Sequence, residues 1–585
     1  MDMTLSASLR RRAARILTPV LSTALILTAC AGPMRLSAEP APVAAQVPSQ
    51  GARGPIVSAA NPLAAEAGMA VLRRGGSAVD AAVAIQAVLG LVEPQSSGLG
   101  GGAFLMHYDA ASGAVTAFDG RETAPSAATP ELFFEDGEPL GFREAVLSGR
   151  STGAPGAVAM LAMAHERHGR LAWSGLFGDA ARLAEDGFIV SPRLAGMIAS
   201  RAPQASTDWA RAYFSGADGE RLEAGDTLRN PAYAATVRAL AEDGPDALYR
   251  GDIAREIIAA VQAGERPGAL SLEDLAAYRP VAREAVCREW RLYVLCVPPP
   301  PSSGLAVLQL LAMAEHVPAV DGGPAEADAW TAFAQLQRLM YADRDRYVGD
   351  ADFVAVPVAG LLDPAYVAGR AALAPTLGGA AEPGLPPGFQ PRAADATAEP
   401  AGTSHFVVVD AQGNAVSMTT TVESIFGSGR MAAGFFLNNQ LTDFSFSPVD
   451  AAGVPAANAV APGKRPRSSM SPVIILDREG RFVGAVGSPG GTSILAYVAK
   501  ALIGTLAWDL SMQDAIDLPN LVARGDGFGA DTEMFTPELQ AELAAAGIDL
   551  RPNASENSGL HGVLWRDGRW DAGADPRREG VVLTR

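Results

Sequence analysis

Residues 402–421 read GTSHFVVVDAQGNAVSMTTT, two runs of strand-forming residues on either side of a short polar turn. Valine, phenylalanine and threonine are favoured in strands, and the AQGN segment between the runs has the composition of a turn. The stretch therefore predicts a β-hairpin. If the turn is centred between positions 412 and 413, Thr421 is expected opposite Ser404. That register brings a second hydroxyl close to the backbone of Thr403.

A loop-like segment leads into this hairpin. Residues 376–402 are rich in Pro, Gly and Ala, a composition typical of irregular structure. The segment ends in the small residue Gly402, so we expect the peptide bond before Thr403 to be accessible. A threonine hydroxyl needs an adjacent base, and a chain break at this bond would free an α-amine with an ordinary pKa of about 8. Nucleophile and base would then lie on one residue, although Thr403 taken alone is more simply an ordinary strand residue.

Local signals place further elements along the chain. Asn61 and Pro62 precede an apolar helical pattern, as an N-cap and a first helical residue do. Ser77 begins a second helix with a sequence that resembles a capping box. Residues 102–120 predict another hairpin, and residues 155–345 have mostly helical spacing of apolar residues. We find no internal repeat.

The composition is that of a globular protein with a large core. The chain has 585 residues, 48% of them hydrophobic and 19% charged, with a net charge of -18. This length suggests two or more domains, although long layered α/β chains also fold as one unit. A binding surface for nucleic acid needs clustered Lys and Arg, and no such run follows the N-terminal region. Nucleic acid is therefore not an expected partner.

The N-terminus has the pattern of a targeting segment. A basic region around residues 10–15 precedes an apolar run, 16–27, that is too short to span a bilayer comfortably. The run ends in LTAC, which resembles a bacterial lipobox, so residues 1–30 predict a lipoprotein signal peptide with Cys30 lipidated. A plain signal peptide that contains a cysteine is the alternative. Residues 31–53 are Pro/Ala-rich and predict a flexible tether.

Either reading of the N-terminus predicts export. The expected location is the periplasm, with a lipid anchor as the sole membrane attachment. Ala31, which follows Cys30, does not resemble an inner-membrane retention signal, so the outer membrane is favoured.

Two cysteines remain in the exported protein. Cys287 and Cys296 flank a strand-like stretch, REWRLYVL. Export makes a disulfide between them chemically possible, and two buried free thiols are the alternative. Two thiols are too few for a closed zinc site.

Eight short motifs resemble one known family. They are EPQ at 93–95, GLGGG at 98–102, GRETAP at 120–125, PPPSSG at 299–304, TSH at 403–405, LNNQ at 437–440, RPRSSMSP at 465–472 and GSPGG at 487–491. In this order, they are similar to the gamma-glutamyltranspeptidase family of N-terminal-nucleophile hydrolases, over nearly the whole chain from residue 54. The resemblance implies an α/β fold, a four-layer αββα sandwich made as an inactive precursor. It also implies a self-cleavage between Gly402 and Thr403 that yields a large subunit, 54–402, and a small subunit, 403–585.

The resemblance implies catalytic roles for four residues. Thr403 corresponds to the family's nucleophile, and Thr421 to the second threonine that hydrogen-bonds the freed amine. Gly490 and Gly491 correspond to the oxyanion hole, where backbone N–H groups must approach a tetrahedral oxygen without a Cβ in the way. A plain glycine turn is the alternative for this pair.

The resemblance also implies two binding sites for the ends of a substrate. Arg121, Ser468 and Ser469 correspond to the clamp on the substrate's α-carboxylate, a geometry that suits a guanidinium fork. Gln440 and Asp443 correspond to the partners of its α-ammonium. The alternative interpretation of each of these polar residues is a surface or loop position without a role in binding. No metal and no organic cofactor is implied.

Two departures from the family pattern bear on function. Glu423 stands where many members have Asn, two residues after the second threonine; it can accept from an ammonium but adds charge. The segment 444–467 has no tyrosine, which indicates that the lid of some members is shortened or altered here. An open pocket admits water, so hydrolysis is favoured over transfer.

The leading functional hypothesis is hydrolysis of gamma-glutamyl amides such as glutathione through an ester on Thr403, with water or an amino-acid or dipeptide amine as acceptor. One alternative keeps the mechanism and changes the substrate to cephalosporin-type or glutaryl amides. The charge of Glu423 disfavours an acyl group without an α-ammonium. The other alternative is a non-catalytic binding lipoprotein on the same fold, which an uncleaved chain would favour.

Overall fold

The structure is a computed structural model that describes residues 54–395, 397, 399–400, 402–553 and 558–584. The predicted signal peptide 1–30 with Cys30, and the tether 31–53, lie outside the described residues. Within the part of the chain that is described, no helix is both long and apolar enough to cross a membrane.

The hairpin around position 412 is present, but its register differs from the prediction. Its strands are Gly402–Val409 and Ala415–Glu423. Thr421 lies opposite Thr403, whereas we expected it opposite Ser404. That prediction is wrong by one residue because the connecting loop has an odd number of residues.

A three-residue loop sets this register. Asp410 and Asn414 close the loop, since the Asp410 N–H donates to the Asn414 carbonyl at 2.9 Å. The Asp410 carboxylate accepts from the N–H groups of Gln412 and Asn414. Gly413 takes a positive φ of 88°, as the last residue of a three-residue hairpin loop does.

The hairpin lies at the centre of the first of two large sheets. In this seven-stranded sheet every neighbouring pair is antiparallel. In spatial order the strands are Val581–Thr584, Ile56–Ala59, Gly402–Val409, Ala415–Glu423, Gly102–Tyr108, Val115–Gly120 and Val281–Glu284. The predicted large and small subunits therefore share one sheet, and the strand that begins at Gly402 is paired on both sides.

The second large sheet has six antiparallel strands. In spatial order they are Arg569–Ala574, His561–Arg566, Phe482–Gly487, Val473–Asp477, Tyr293–Val297 and Val286–Trp290. Apolar side chains of both sheets form one buried cluster between them, including Met106, Val407 and Val409 from the first sheet and Ile474, Leu476 and Val563 from the second. The two sheets are thus packed face to face.

Cys287 and Cys296 are joined by a disulfide across two strands of the second sheet. We expected one strand between them, but the stretch forms a tight hairpin whose turn contains Arg291, with a positive φ of 55°. The cysteines are opposite each other in this hairpin. The turn has no Gly, Pro or Asn, so its sequence carries no turn signal.

Helices cover the outer face of each sheet, which completes the four-layer αββα sandwich. On the first sheet the helices are Pro62–Arg73, Ala78–Val92, Ala157–His168, Gly178–Asp186, Pro192–Ile198, Asp208–Tyr213, Pro231–Asp243, Asp246–Tyr249, Gly251–Gln262 and Leu272–Ala277. On the second they are Gly304–Ala314, Ala327–Tyr347, Pro364–Ala371, Ile494–Leu506, Met512–Asp517 and Pro537–Ala545. Two short helices, Phe142–Leu147 and Val358–Leu361, pack in smaller clusters.

The predicted helix starts are confirmed. Asn61 caps the first helix by accepting from the N–H of Leu63, and Ser77 forms a capping box with Asp80. The first helices and the hairpin Gly102–Gly120 thus follow local sequence signals. Small sheets complete the element list: Phe134–Glu135 with Glu138–Pro139, Phe188–Ile189 with Thr227–Leu228, Met431–Ala432 with Phe435–Phe436, and Leu521–Arg524 with Gly527–Ala530 and Arg551–Pro552.

Candidate active site

Nine of the ten predicted catalytic and substrate-binding residues line one pocket at the start of the strand Gly402–Val409. They are Arg121, Thr403, Thr421, Glu423, Gln440, Asp443, Ser468, Ser469 and Gly491, and the pocket is completed by Glu399, Pro400, Met470 and Ile494. Its free volume is about 10 Å³, barely enough for one water molecule. Glu399 and Pro400, which precede Thr403, are among the residues that line this small pocket.

Two threonine hydroxyls form a chain of hydrogen bonds at the Gly402–Thr403 peptide. The Thr403 hydroxyl donates to the Thr421 hydroxyl at 3.1 Å, and the Thr421 hydroxyl donates to the Gly402 carbonyl oxygen at 2.6 Å. The N–H of Glu423 donates to the Thr421 oxygen at 2.8 Å. Thr421 thus connects the hydroxyl of Thr403 with the carbonyl that this hydroxyl would attack.

A β-bulge places the two threonines in contact. Gly402 lies opposite Glu423 while Thr403 lies opposite Thr421, so Val422 is the extra residue of the bulge. Bulges re-aim side chains next to many active sites. A Cβ on Gly402 would lie 2.3 Å from the Glu423 carbonyl oxygen, so only glycine fits at this position.

Gly490 and Gly491 form a sharp turn after the strand Phe482–Gly487. Both have positive φ, 133° and 55°, which side chains other than glycine rarely adopt. A Cβ on Gly491 would lie 2.1 Å from the carbonyl oxygen of Glu399 and 2.4 Å from that of Pro400. The absence of a side chain lets the segment before Thr403 run directly against this turn.

One end of the pocket binds a carboxylate that belongs to the chain itself. The Glu399 carboxylate accepts from the Arg344 guanidinium and from the N–H of Ser469, the latter at 2.8 Å. Arg467 lies 3.7 Å away. Burial alone would raise the pKa of the Glu399 carboxyl, but the charges of Arg344 and Arg467 bring it down to about 2. Glu399 is therefore an anion in a buried cationic site.

Arg121 lines the same pocket. It donates to Asp443 at 2.5 Å and to the carbonyl oxygens of Pro466 and Arg467 at 3.2 and 2.7 Å. Of the predicted carboxylate clamp, Ser469 touches the bound carboxylate, whereas the bonds of Arg121 go to Asp443 and the backbone. Ser468 lines the pocket and accepts from the N–H of Met470 at 3.2 Å.

The opposite end of the pocket is acidic. The Gln440 amide donates to Asp443 at 2.6 Å, and the Glu423 carboxyl accepts from Ser424 at 2.5 Å and from Asn439. Burial raises the pKa of Glu423 well above its usual range, and it raises the pKa of Asp443 to about 6 despite the opposing charge of Arg121.

Three buried oxygens in this part of the pocket receive no hydrogen bond from an N–H group among the described residues, although a protonated Glu423 carboxyl can donate to Asp443. They are Oε1 of Glu423, Oε1 of Gln440 and Oδ1 of Asp443, and all three are buried. A buried acceptor without a donor is costly, so each such group requires a reason. An ammonium has three N–H donors, which matches this number of acceptors.

Sequence reasoning missed Arg344 and Glu399. Arg344 is in the run DRDR near the end of the helix Ala327–Tyr347, and such a charge run usually marks a solvated face. Glu399 is in the Pro/Ala-rich stretch that we predicted to be an irregular loop. Its contact with Arg344 spans 55 residues, so no local pattern could reveal it.

Comparisons with known proteins identify the family of this chain. The family model for gamma-glutamyltranspeptidase matches residues 64–584. The glutathione hydrolase proenzyme of Bacillus subtilis (strain 168) is 36% identical over 479 residues, covering 80% of each chain. That of Escherichia coli (strain K12) is 34% identical over 536 residues, covering 89% of this chain and 90% of that protein.

Among solved structures, the cephalosporin acylase of Bacillus halodurans is similar in fold, with a TM-score of 0.79 at 25% sequence identity. The similarity covers 94% of this chain and 99% of that chain.

The described residues of the present chain hold no group of three His, Cys, Asp or Glu side chains arranged to bind a metal ion. With a family match over most of its length and the predicted residues gathered in one pocket, this chain belongs to the gamma-glutamyltranspeptidase family.

Proposed function

We propose that this protein cuts itself before Thr403 and then hydrolyses gamma-glutamyl amides such as glutathione. The observation that carries the proposal is the polarity of the pocket around Thr403. The oxygens of Glu423, Gln440 and Asp443 line the same small pocket as a carboxylate, Glu399, that buried arginine binds. A gamma-glutamyl group has an α-ammonium and an α-carboxylate on one carbon, and this pocket has a site for each. Two relatives named glutathione hydrolase support the same substrate.

In the self-cleavage step, the Thr403 hydroxyl oxygen attacks the Gly402 carbonyl carbon. The C–N bond of the peptide breaks, the Thr403 nitrogen takes the proton, and an ester joins Gly402 to the threonine oxygen. Water then hydrolyses this ester, which leaves a carboxylate on Gly402 and a free α-amine on Thr403. Thr421 is placed to polarise the attacked carbonyl, because its hydroxyl already donates to that oxygen.

In the catalytic cycle, the freed amine of Thr403 acts as the base for its own hydroxyl. The hydroxyl oxygen attacks the γ-carbonyl carbon of the substrate, and the N–H groups at Gly490 and Gly491 stabilise the oxyanion. The C–N bond of the amide breaks, and the leaving amine takes the proton. Water attacks the resulting gamma-glutamyl ester, so that glutamate is released and Thr403 is regenerated.

Hydrolysis is proposed to dominate over transfer because the aromatic residues of the segment 444–467 are absent from the described residues that line the pocket. Phe444 and Val460 of the segment 444–467 pack into a buried cluster with Phe133, and Phe446 stacks on Phe133 at 4.8 Å. Among the described residues that line the pocket, none belongs to this segment. Water therefore has access to the ester. Product analysis with and without glycylglycine tests this, and a majority of transfer product would contradict it.

Self-cleavage is tested with purified wild type and Thr403→Ala on a denaturing gel with intact-mass analysis. Wild type is expected to give two chains, the smaller with the mass of residues 403–585, while Thr403→Ala stays whole. Thr420→Ala is the matched control, since Thr420 is the next threonine in the same strand and faces Ser404. A wild type that stays whole under activating conditions would contradict the proposal and favour a binding protein.

Cleavage of cephalosporin-type or glutaryl amides is the second candidate, which the fold similarity to a cephalosporin acylase favours. A glutaryl amide lacks the α-ammonium, so the buried oxygens of Glu423, Gln440 and Asp443 would gain no N–H donor. We therefore expect turnover of glutathione to exceed that of a glutaryl amide. Faster turnover of the glutaryl amide than of glutathione would favour the acylase alternative.

We further propose export with a lipid anchor at Cys30, on the basis of the N-terminal sequence. Cys30→Ala is expected to move the protein from the membrane fraction to the soluble fraction, and loss of a labelled fatty acid would accompany the change. An unchanged distribution would indicate a plain signal peptide.

A further inference from the structure

The strand that carries Thr403 extends beyond its neighbour on one side. The strand Ile56–Ala59 pairs with residues 406–409 and ends there. On the other side, Ala415–Glu423 continues as far as Thr403 and beyond it. Among the described strands, residues 403–405 therefore have a partner on one side only.

The side chain of Arg578 takes the missing place beside Thr403. Its guanidinium donates to the Thr403 carbonyl oxygen at 2.7 Å, and the residue is buried, with 7% of its surface exposed. Val581, three residues later, lies opposite Ala59, so Arg578 lies just past the end of the strand that stops short. Gly559 leaves room for the side chain, because a Cβ there would lie 2.6 Å from the Arg578 Cδ.

The next residue, Ser404, is held through its side chain. The Ser404 hydroxyl donates to the Glu93 carboxylate at 2.8 Å, and this buried carboxylate is paired with Arg193 at 3.0 Å. Glu93 begins the EPQ motif and is not among the residues that line the pocket. The peptide between Thr403 and Ser404 is thus fixed by Arg578 at its carbonyl and by Glu93 at the residue that follows.

Self-cleavage would change what holds Thr403 in place. In the continuous chain, Gly402 lies opposite Glu423 and continues the strand on the amino side of Thr403. After the cut, Thr403 is a chain terminus, and termini are poorly ordered unless other contacts tie them down. The nucleophile and its base would both be on this terminal residue, where a displacement of about 1 Å can lower the reaction rate about 100-fold.

We infer that Arg578 is a positioning residue that holds the carbonyl of Thr403 after the cut, so that the hydroxyl and the α-amine of the new terminal residue stay aimed at the substrate. The inference rests on the proposed self-cleavage and gamma-glutamyl activity. The bond of Arg578 goes to the backbone of Thr403, so Arg578 acts through that residue. It is therefore needed for turnover by the cut enzyme more than for the cut itself, when Gly402 still continues the strand.

The first test measures turnover of gamma-glutamyl-p-nitroanilide by Arg578→Met and Arg578→Lys. Methionine has no donor, so kcat is expected to fall about 100-fold, while KM stays within about 3-fold because the charged ends of the donor bind other residues. Lysine can donate to the same carbonyl and is expected to restore kcat to within about 10-fold of wild type. Self-cleavage of both variants on a denaturing gel is expected to stay within about 10-fold of the wild-type rate.

Arg338→Met is the matched control. Arg338 is also a buried arginine that donates to a backbone carbonyl, that of Gly525 at 2.8 Å, and it lies outside the pocket lining. It is expected to lower the thermal midpoint as Arg578→Met does, but to leave kcat unchanged. If Arg578→Met does not fold, Arg578→Gln takes its place, because its shorter side chain keeps a polar group in the buried position without reaching the carbonyl.

Three outcomes of this comparison would overturn the inference. They are an unchanged kcat in Arg578→Met, a loss of kcat that lysine does not restore, and a cut that is slowed as much as turnover.

A second test needs no turnover, so it separates failure of the inference from failure of the proposed function. In the cut enzyme, an added aminopeptidase removes Thr403 once the strand end frays, and intact-mass analysis then shows the smaller chain shortened by one threonine. Removal is expected to be at least about 10-fold faster in Arg578→Met than in wild type, and unchanged in Arg338→Met. Equal rates in all three proteins would overturn the inference even if wild type hydrolyses the anilide. A wild type that is not cut, or that is cut and does not hydrolyse the anilide, would instead contradict the proposed function.

Discussion

The buried ionisable groups near Arg344 and those near Glu423 and Asp443 are neutralised in different ways. At the Arg344 end, the chain supplies its own carboxylate, Glu399, and the buried charges are paired. At the Glu423 and Asp443 end, three buried oxygens receive no hydrogen bond from an N–H group among the described residues. A carboxyl group can avoid a buried charge by keeping its proton, as the raised pKa values of Glu423 and Asp443 indicate. Arginine keeps its charge, and the charge of Arg344 is paired with both Glu399 and Asp345.

This difference indicates what each end does when a substrate arrives. An ammonium that binds near Glu423 and Asp443 would meet carboxyl groups with raised pKa values. Near Arg344, the Glu399 carboxylate is already bound. Substitutions that disturb the Glu399 segment should therefore change self-cleavage, whereas substitutions of Asp443 or Glu423 should change the preference among donors.

The largest effect, on the rate of self-cleavage, is expected from Gly491→Ala, which places a methyl group against the segment that carries Glu399. The new Cβ would lie 2.1 Å from the Glu399 carbonyl oxygen, so the segment with Glu399 could not keep its position. The variant would also disturb the proposed oxyanion hole, where loss of a donor costs roughly 100- to 1000-fold in kcat. We expect self-cleavage on a denaturing gel to be slowed by at least that factor.

Gly525→Ala is the control for backbone strain in that experiment. Gly525 has nearly the same φ, 57° against 55°, but nothing lies within 4 Å of its potential Cβ. It is expected to be cut at the rate of wild type. Normal cleavage of Gly491→Ala would show that the Glu399 segment does not need its close approach to this turn.

An intermediate effect, on the preference between donors, is expected from Asp443→Asn, which removes a negative charge from the acidic part of the pocket. Loss of the negative charge should lower kcat/KM for a gamma-glutamyl donor by about 100-fold relative to a glutaryl donor, which has no ammonium. In wild type the same preference should decline as pH falls through about 6, because Asp443 with its raised pKa becomes neutral below that pH. A preference independent of pH between 5 and 7 would contradict an ionised Asp443 at the ammonium.

Glu423→Gln is the matched change at the same end, and its effect should be smaller. Burial raises the pKa of Glu423 well above its usual range, so the amide substitution removes less charge than it would at an exposed carboxylate, and the amide keeps the size of the side chain. We expect the donor preference of this variant to stay within about 10-fold of wild type. An effect larger than that of Asp443→Asn would assign the ammonium charge partner to Glu423 instead.

The smallest effect on activity is expected from Glu122→Gln, next to Arg121. Burial raises the pKa of the Glu122 carboxyl to about 8, despite the opposing charge of Arg121. A carboxyl with a raised pKa stabilises the fold fully below its unfolded pKa of 4.5, and this contribution is lost as pH rises through the folded value. Thermal midpoints should therefore fall more between pH 5 and 8 for wild type than for Glu122→Gln. Parallel curves would show that Glu122 is ionised in the folded protein.

Local chemistry made much of the fold predictable. The caps at Asn61 and Ser77 begin helices because side-chain oxygens there accept N–H groups within the same turn. The runs of β-branched residues after Gly402 form the strands of a hairpin, because such side chains pack well on a pleated sheet. The register was not predictable, since it depends on whether the loop has two or three residues. Asp410 decides this through bonds to N–H groups that exist only after the loop has closed.

The sequence by itself determined the candidate nucleophile and the polar residues that surround it, because each lies in a short motif that resembles the family's. Only the tertiary structure decided how these residues divide between the two ends of the pocket. Arg121 pairs with Asp443 across 322 residues, and Arg344 pairs with Glu399 across 55. Buried charges pair with whichever partner the packed chain brings near, and that choice depends on long-range contacts that no sequence pattern records.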